Sequence, residues 1–137
     1  MSLQDFIIEY DVEHSTNLIQ NEDLKKVSEK MGVQIGKELA DYILRYGYLA
    51  FRYSELYGIN ARQFLESDMI KQTLYLHSNY PETKELIAIE NRGEGDYFLV
   101  DKNDHIFEFD VEMNTLMPTL TTLYEYILNR FESILDR

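Results

Sequence analysis

The sequence predicts an α+β fold in which helices flank a central sheet that is mixed or antiparallel. Apolar residues recur at helical spacing in the first half, residues 86–111 resemble a three-strand meander, and an amphipathic segment closes the chain. With 137 residues, of which 45% are hydrophobic, the chain can form one core. We therefore expect a single domain spanning residues 1–137.

Four helices are predicted from apolar stripes bounded by capping residues and glycines. They run from Leu3 to a turn at about His14–Asn17, from Asn21 to Gly32, from Lys37 to Tyr46, and from Ser67 towards Pro81. A closing C-terminal helix starts at Thr122, because Glu125 completes a capping box with it.

Strands are predicted in two regions. Residues 48–59 are rich in aromatic and β-tolerant side chains, which favour one or two short strands. The meander consists of Leu86–Asn91, Tyr97–Val100 and Ile106–Val111, joined by short turns that contain Gly, Asn and Asp. In its last strand Phe107 and Phe109 alternate with Glu108 and Asp110, so one apolar face and one solvated face are expected.

Half of the chain's excess negative charge lies on this meander. The net charge is −12, and residues 90–112 hold eight acids against Arg92 and Lys102. Such a surface repels nucleic acid and phosphorylated ligands and attracts cationic proteins. We expect its carboxylates to be open to water and to bind a partner; the candidates are Glu90, Glu94, Asp96, Asp101, Asp104, Glu108 and Asp110.

Tyrosine is abundant, with eleven copies, and five of them lie between Tyr42 and Tyr57. Its ring is apolar and its tip is polar, so these residues suit either a core edge or a recognition surface. If they serve recognition, Tyr53 and Tyr57 are the candidate anchors beside the acidic sheet.

Motifs for catalysis are weak. Asp101, Asn103 and Glu112 fit three positions of a calcium loop, but Ile106 stands where that loop requires glycine. The chain has no cysteine and no His-Glu-x-x-His motif. A metal-dependent hydrolase that uses the carboxylates between Asp96 and Asp110 is the weakest hypothesis; it would need those acids to converge in a buried cluster. We expect no enzymatic activity, no cofactor and no metal.

The N-terminus lacks the basic and apolar segments of a secretory signal, and no apolar run is long enough for a membrane span. Cytoplasmic residence and no association with membranes are therefore expected.

Several segments in order resemble the SUKH superfamily. They are Glu38-Leu39-x-x-Tyr42-Ile43-x-x-Tyr46-Gly47, Tyr57-Gly58-Ile59, the stretch from Ile87 to Asp101 with its Gly93-x-Gly95 turn, and the closing helix. That superfamily includes fungal cell-wall synthesis regulators and bacterial immunity proteins that neutralise polymorphic toxins. The resemblance implies an α+β fold, no catalytic residues and a role in binding another protein.

Two functions stay open at this point. The first is a cytoplasmic immunity protein whose acidic surface neutralises a cationic toxin domain, such as a nuclease. The second is a regulatory or scaffold protein that binds a cellular protein, as in the fungal branch.

Overall fold

A computed structural model describes residues 1–59 and 65–136, and it confirms the α+β prediction. The described chain has five helices and two antiparallel sheets. The helices are α1 (Leu3–Glu9), α2 (Leu24–Met31), α3 (Lys37–Arg45), α4 (Met69–Asn79) and α5 (Leu123–Leu135). The strands are β1 (Glu13–His14), β2 (Leu49–Phe51), β3 (Ser54–Glu55), β4 (Ile87–Asn91), β5 (Asp96–Val100), β6 (His105–Asp110) and β7 (Thr115–Thr122).

Local capping signals explain several helix ends. Gly32 and Gly47, which follow α2 and α3 closely, have φ values of 71° and 73°, a left-handed conformation that favours glycine. The capping box of Thr122 and Glu125 starts α5 as predicted. The predicted first helix is too long, because α1 ends at Glu9 and the residues after it turn back into the short strand β1.

The larger sheet has the strand order β4-β5-β6-β7, so it contains one strand more than the predicted meander. Strand β7 was missed because it contains Pro118 and lacks regular alternation. It bulges opposite β6 between His105 and Phe107, and Leu120 in the bulge has a φ of 66°. Strand β7 forms an edge of this sheet, with no further strand paired to it in the described chain.

The segment that follows β3 connects the smaller sheet, β1-β2-β3, to the larger sheet. The Tyr57 amide donates to the Ile89 carbonyl over 2.7 Å, and the buried Tyr42 hydroxyl donates to the Tyr57 carbonyl, also over 2.7 Å. Helix α5 packs against α1 and α3, where Phe6 and Phe131 contact Phe51 of β2. The two sheets and the helices thus share one apolar core.

Candidate protein-binding surface

Glu90 does not lie on the surface, so the expectation of an exposed carboxylate is wrong for it. Its side chain is 1% exposed and forms an ion pair with Arg130 of α5, with Nη2 at 3.1 Å from Oε2. The Tyr126 hydroxyl donates to Oε1 over 2.6 Å, and the Ser54 hydroxyl donates to Oε2 over 2.7 Å. A buried charge is tolerated when it is paired and hydrogen-bonded in this way. Glu90 therefore joins β4, β3 and α5 from within.

Asp104 is also buried, which corrects the same expectation. Its carboxylate accepts hydrogen bonds from the backbone amides of Glu38 at 2.9 Å and Leu39 at 3.1 Å, in the first turn of α3. Gly36 leaves room for this contact, because a Cβ at that position would lie 2.5 Å from the Asp104 carboxylate. These amides have no acceptor within the helix, and the negative charge of Asp104 lies at the positive end of the helix dipole. Asp104 is therefore an N-terminal cap of α3 that is supplied by a distant turn.

Asp101 lies half-buried in the β5–β6 turn, at the same end of the sheet as Asp104. Its Oδ1 accepts from the amides of Asn103 and His105, both at 2.9 Å. These bonds form an Asx-type turn, which is a local structural use of the carboxylate.

The remaining carboxylates gather at the opposite end of the sheet. Asp96 and Asp110 pair directly across β5 and β6, Glu108 lies two residues before Asp110, and the exposed Glu94 and Glu112 lie in the adjoining turns. The Val111 amide donates to the Gly95 carbonyl over 3.0 Å and holds the two turns together. We call this set, Glu94, Asp96, Glu108, Asp110 and Glu112, the acidic end of the sheet.

The close approach of carboxylates within the acidic end raises one pKa. The pKa of Glu108 is raised, first by a hydrogen bond shared with Asp96 and then by partial burial and the Asp96 charge. Arg92 acts in the opposite direction, and its guanidinium lies 4.3 Å from the centre of the Phe98 ring. One cation does not balance five acids, so the acidic end keeps a strong negative potential.

Exposed apolar side chains border the acidic end. Met117 pairs with Glu108 across β6 and β7 and is 63% exposed, and Met113 in the β6–β7 turn is similarly open. Methionine is a flexible apolar side chain that suits protein contacts. The charge pattern of the sequence does not point to these residues. The sequence feature that could have identified them is the presence of two methionines in and next to the β6–β7 turn.

The two candidate tyrosines differ in exposure but line one groove. Tyr53 is exposed and Tyr57 is 6% exposed. The groove has a volume of about 470 Å³ and is also lined by Glu55, Glu66 and Tyr75, which were not among the predicted site residues. It lies between β3, the start of α4 and the β4–β5 strands, so the two tyrosines do not lie on the acidic end itself.

Nothing in the described chain supports the metal hypothesis. No group of three or more His, Asp or Glu side chains there converges as a metal site would require. None of the described helices has the length and apolar character to cross a membrane.

A comparison with protein families matches residues 3–132 to the SUKH_5 family, described as SMI1-KNR4 cell-wall. Curated proteins give no significant match.

Proposed function

Since this chain belongs to the SUKH superfamily, we propose that it is a non-enzymatic immunity protein that binds and neutralises a basic toxin domain in the cytoplasm. The acidic end of the sheet is the proposed docking surface. Of the predicted acids, the interface keeps Glu94, Asp96, Glu108 and Asp110, and Glu112 joins them. Glu90 and Asp104 are assigned to the framework, because their carboxylates are buried and paired within the protein, and Asp101 is left out because it lies at the opposite end of the sheet.

The observation that carries this proposal is the collection of five carboxylates at one end of an antiparallel sheet, beside exposed methionines. Charge at that density accelerates encounter with a basic protein and selects against acidic ones. Apolar contacts then slow dissociation, because a desolvated centre supplies most of the affinity in protein interfaces. Met113 and Met117 are the side chains placed to supply it.

The acidic end is also suited to inhibition. A domain that acts on nucleic acid needs a basic cleft for its substrate. A surface that presents several carboxylates at once competes for that cleft, and it needs no chemistry of its own.

Neutralisation by two matched triple variants tests the proposal. The first is Glu94→Lys, Glu108→Lys and Glu112→Lys. The control is Glu9→Lys, Glu22→Lys and Glu29→Lys on exposed positions in the N-terminal third. Both raise the net charge equally, so a nonspecific charge effect cancels.

The assay measures the activity of the toxin domain encoded beside this chain at increasing inhibitor concentration. We expect the acidic-end variant to require at least about 10-fold more protein for half inhibition, whereas the control stays close to the unaltered chain. Equal loss in both variants would show that net charge, and not this surface, matters. Full neutralisation by the acidic-end variant would refute the docking surface.

The description of the matched family favours one alternative, a regulatory or scaffold protein of the cell-wall synthesis regulator type that binds a cellular protein. The two proposals differ in their predictions. A gene neighbourhood without a toxin, together with no inhibition of any neighbouring product, would favour the scaffold role.

A further inference from the structure

We propose that the groove lined by Tyr53 and Tyr57 is a binding site for a guanidinium group, namely an arginine side chain of a bound polypeptide. That the arginine belongs to a polypeptide partner rests on the proposed function. The site itself is separate from the acidic end and is argued from its own residues.

The groove has the size of a ligand site. Its volume of about 470 Å³ falls within the usual range for pockets that enclose small ligands. This volume leaves room for an arginine side chain with its adjoining backbone.

Two carboxylates give the groove its charge preference. Glu55 and Glu66 both line it, both are exposed, and neither forms an ion pair with a cation of the described chain. Ser67 donates weakly to Glu55 over 3.5 Å, and the Gln72 amide donates to the Glu66 carbonyl over 2.7 Å. The Glu66 backbone is thereby anchored to α4. The one cationic side chain among the described lining residues, Lys71, leaves the pair of acids with a net negative charge.

A largely buried tyrosine adds a hydrogen-bonding group to the wall of the groove. Tyr57 is 6% exposed and lines the groove. Burial raises the pKa of its hydroxyl, and the charges of Tyr97, Glu90 and Glu66 raise it further. The hydroxyl is therefore neutral at physiological pH, and its oxygen can accept a hydrogen bond from an incoming N–H group.

Aromatic rings favour arginine over lysine. Tyr53 and Tyr75 form exposed parts of the groove wall. A guanidinium stacks on such rings and at the same time donates in a planar fork to carboxylates, whereas an ammonium group offers neither geometry. The protein uses the same contact internally, since the Arg130 guanidinium lies 5.6 Å from the centre of the Tyr53 ring. An anionic ligand would meet Glu55 and Glu66 and be repelled.

The test uses a small probe and the whole chain. N-acetyl-arginine-N-methylamide is titrated into ¹⁵N-labelled protein, with the uncharged isostere N-acetyl-citrulline-N-methylamide as the matched ligand control. We expect saturable shifts at Gln72, Asn91 and Tyr97, with a dissociation constant of about 1 to 10 mM for a single side chain. The citrulline probe should give no saturable shifts.

Two double variants identify the site. Glu55→Gln with Glu66→Gln should weaken arginine binding at least about fivefold, while Glu9→Gln with Glu29→Gln makes the same charge change at exposed positions outside the groove and the acidic end and should alter it less than about twofold. Tyr57→Phe, which removes only the hydroxyl, should also weaken it. Equal effects of the two double variants, equal binding of citrulline, or no saturation below about 50 mM would overturn the proposal.

The two proposals fail separately. Absence of arginine binding in a protein that still neutralises a toxin would refute only the proposed arginine site. Arginine binding by a protein that does not neutralise a toxin would support the arginine site and refute the immunity function.

Discussion

The substitution Glu90→Gln tests whether the buried ion pair holds the two sheets and α5 together. Glutamine keeps the shape of the side chain but removes the charge that Arg130 faces at 3.1 Å. The Tyr126 and Ser54 hydroxyls can rotate to suit an amide, whereas the guanidinium cannot lose its charge. The variant therefore leaves an uncompensated buried cation.

The expected cost follows from that geometry. Breaking one side of a buried pair costs about 3 to 5 kcal/mol, and the retained hydroxyl contacts place this case at about 3 kcal/mol. Native domains are stable by about 5 to 15 kcal/mol, so the loss is a large fraction of the total. At this chain length it lowers the melting temperature by about 10 °C.

Urea unfolding at pH 7, followed by circular dichroism, measures this change. Glu94→Gln is the matched control, because Glu94 is exposed in the next turn and should change the free energy of unfolding by less than about 0.5 kcal/mol. The double variant Glu90→Gln with Arg130→Met should cost less than the sum of its single variants, since the orphaned charge is gone. A change in the free energy of unfolding below about 0.5 kcal/mol for Glu90→Gln would refute the buried ion pair and would indicate that Glu90 is exposed to solvent.

Three further predictions concern stability. Asp104→Ala should cost about 2 kcal/mol in urea unfolding, because two amides in the first turn of α3 lose their acceptor; a cost below about 0.5 kcal/mol would contradict the capping role. Glu108→Gln should stabilise the protein by about 0.5 kcal/mol at pH 7, because it removes repulsion with Asp96. The folded-state pKa of Glu108 is raised, so the folded protein binds this proton more tightly than the unfolded chain, and the repulsion is relieved as the pH falls through that pKa. The melting temperatures of the unaltered chain and the Glu108→Gln variant should therefore converge at low pH. A difference that stays constant with pH would contradict this prediction. Leu120→Asn should leave the protein equally stable or stabilise it by up to about 1 kcal/mol, because Leu120 is 93% exposed and has a φ of 66°, which asparagine tolerates better than leucine. Leu116→Asn, at a half-buried position of β7, should destabilise the protein. If thermal melts show the reverse order, this account of the bulge is refuted.

The elements that sequence predicted correctly are those whose signals are local. The capping box of Thr122 and Glu125 and the left-handed glycines Gly32 and Gly47 lie within a few residues of the ends they define. Strand β7 lacks such a signal. Its backbone conformation depends on pairing with β6, and a proline and a bulge interrupt the side-chain alternation.

The candidate site was predicted only in part, because charge counting does not report the partners of a charge. Glu90 and Arg130 are 40 positions apart in the chain, and Asp104 lies 66 positions from the Glu38 amide it caps. A signal for the first pair did exist. Glu90 ends an apolar run in β4, and Arg130 falls within the apolar stripe of α5, so each charge lies where a core residue was expected.

The groove shows a similar limit. Tyr53 and Tyr57 were selected as neighbours of an acidic sheet, but Glu55 and Glu66, the carboxylates that line the groove with them, come from β3 and the turn before α4. Only the tertiary packing brings these residues together. Whether any of the candidate residues contacts a partner stays a prediction.

The dependence of the association rate on ionic strength tests the central claim most directly. Stopped-flow mixing with the toxin domain that our proposal predicts beside this chain would compare three proteins. They are the unaltered chain, the charge-reversal variant at Glu94, Glu108 and Glu112, and the matched variant at Glu9, Glu22 and Glu29. We expect the acidic-end variant to associate at least about 10-fold more slowly at low salt and to respond less to added salt, with the matched variant close to the unaltered chain. Identical salt dependence for the two variants would contradict docking through the acidic end.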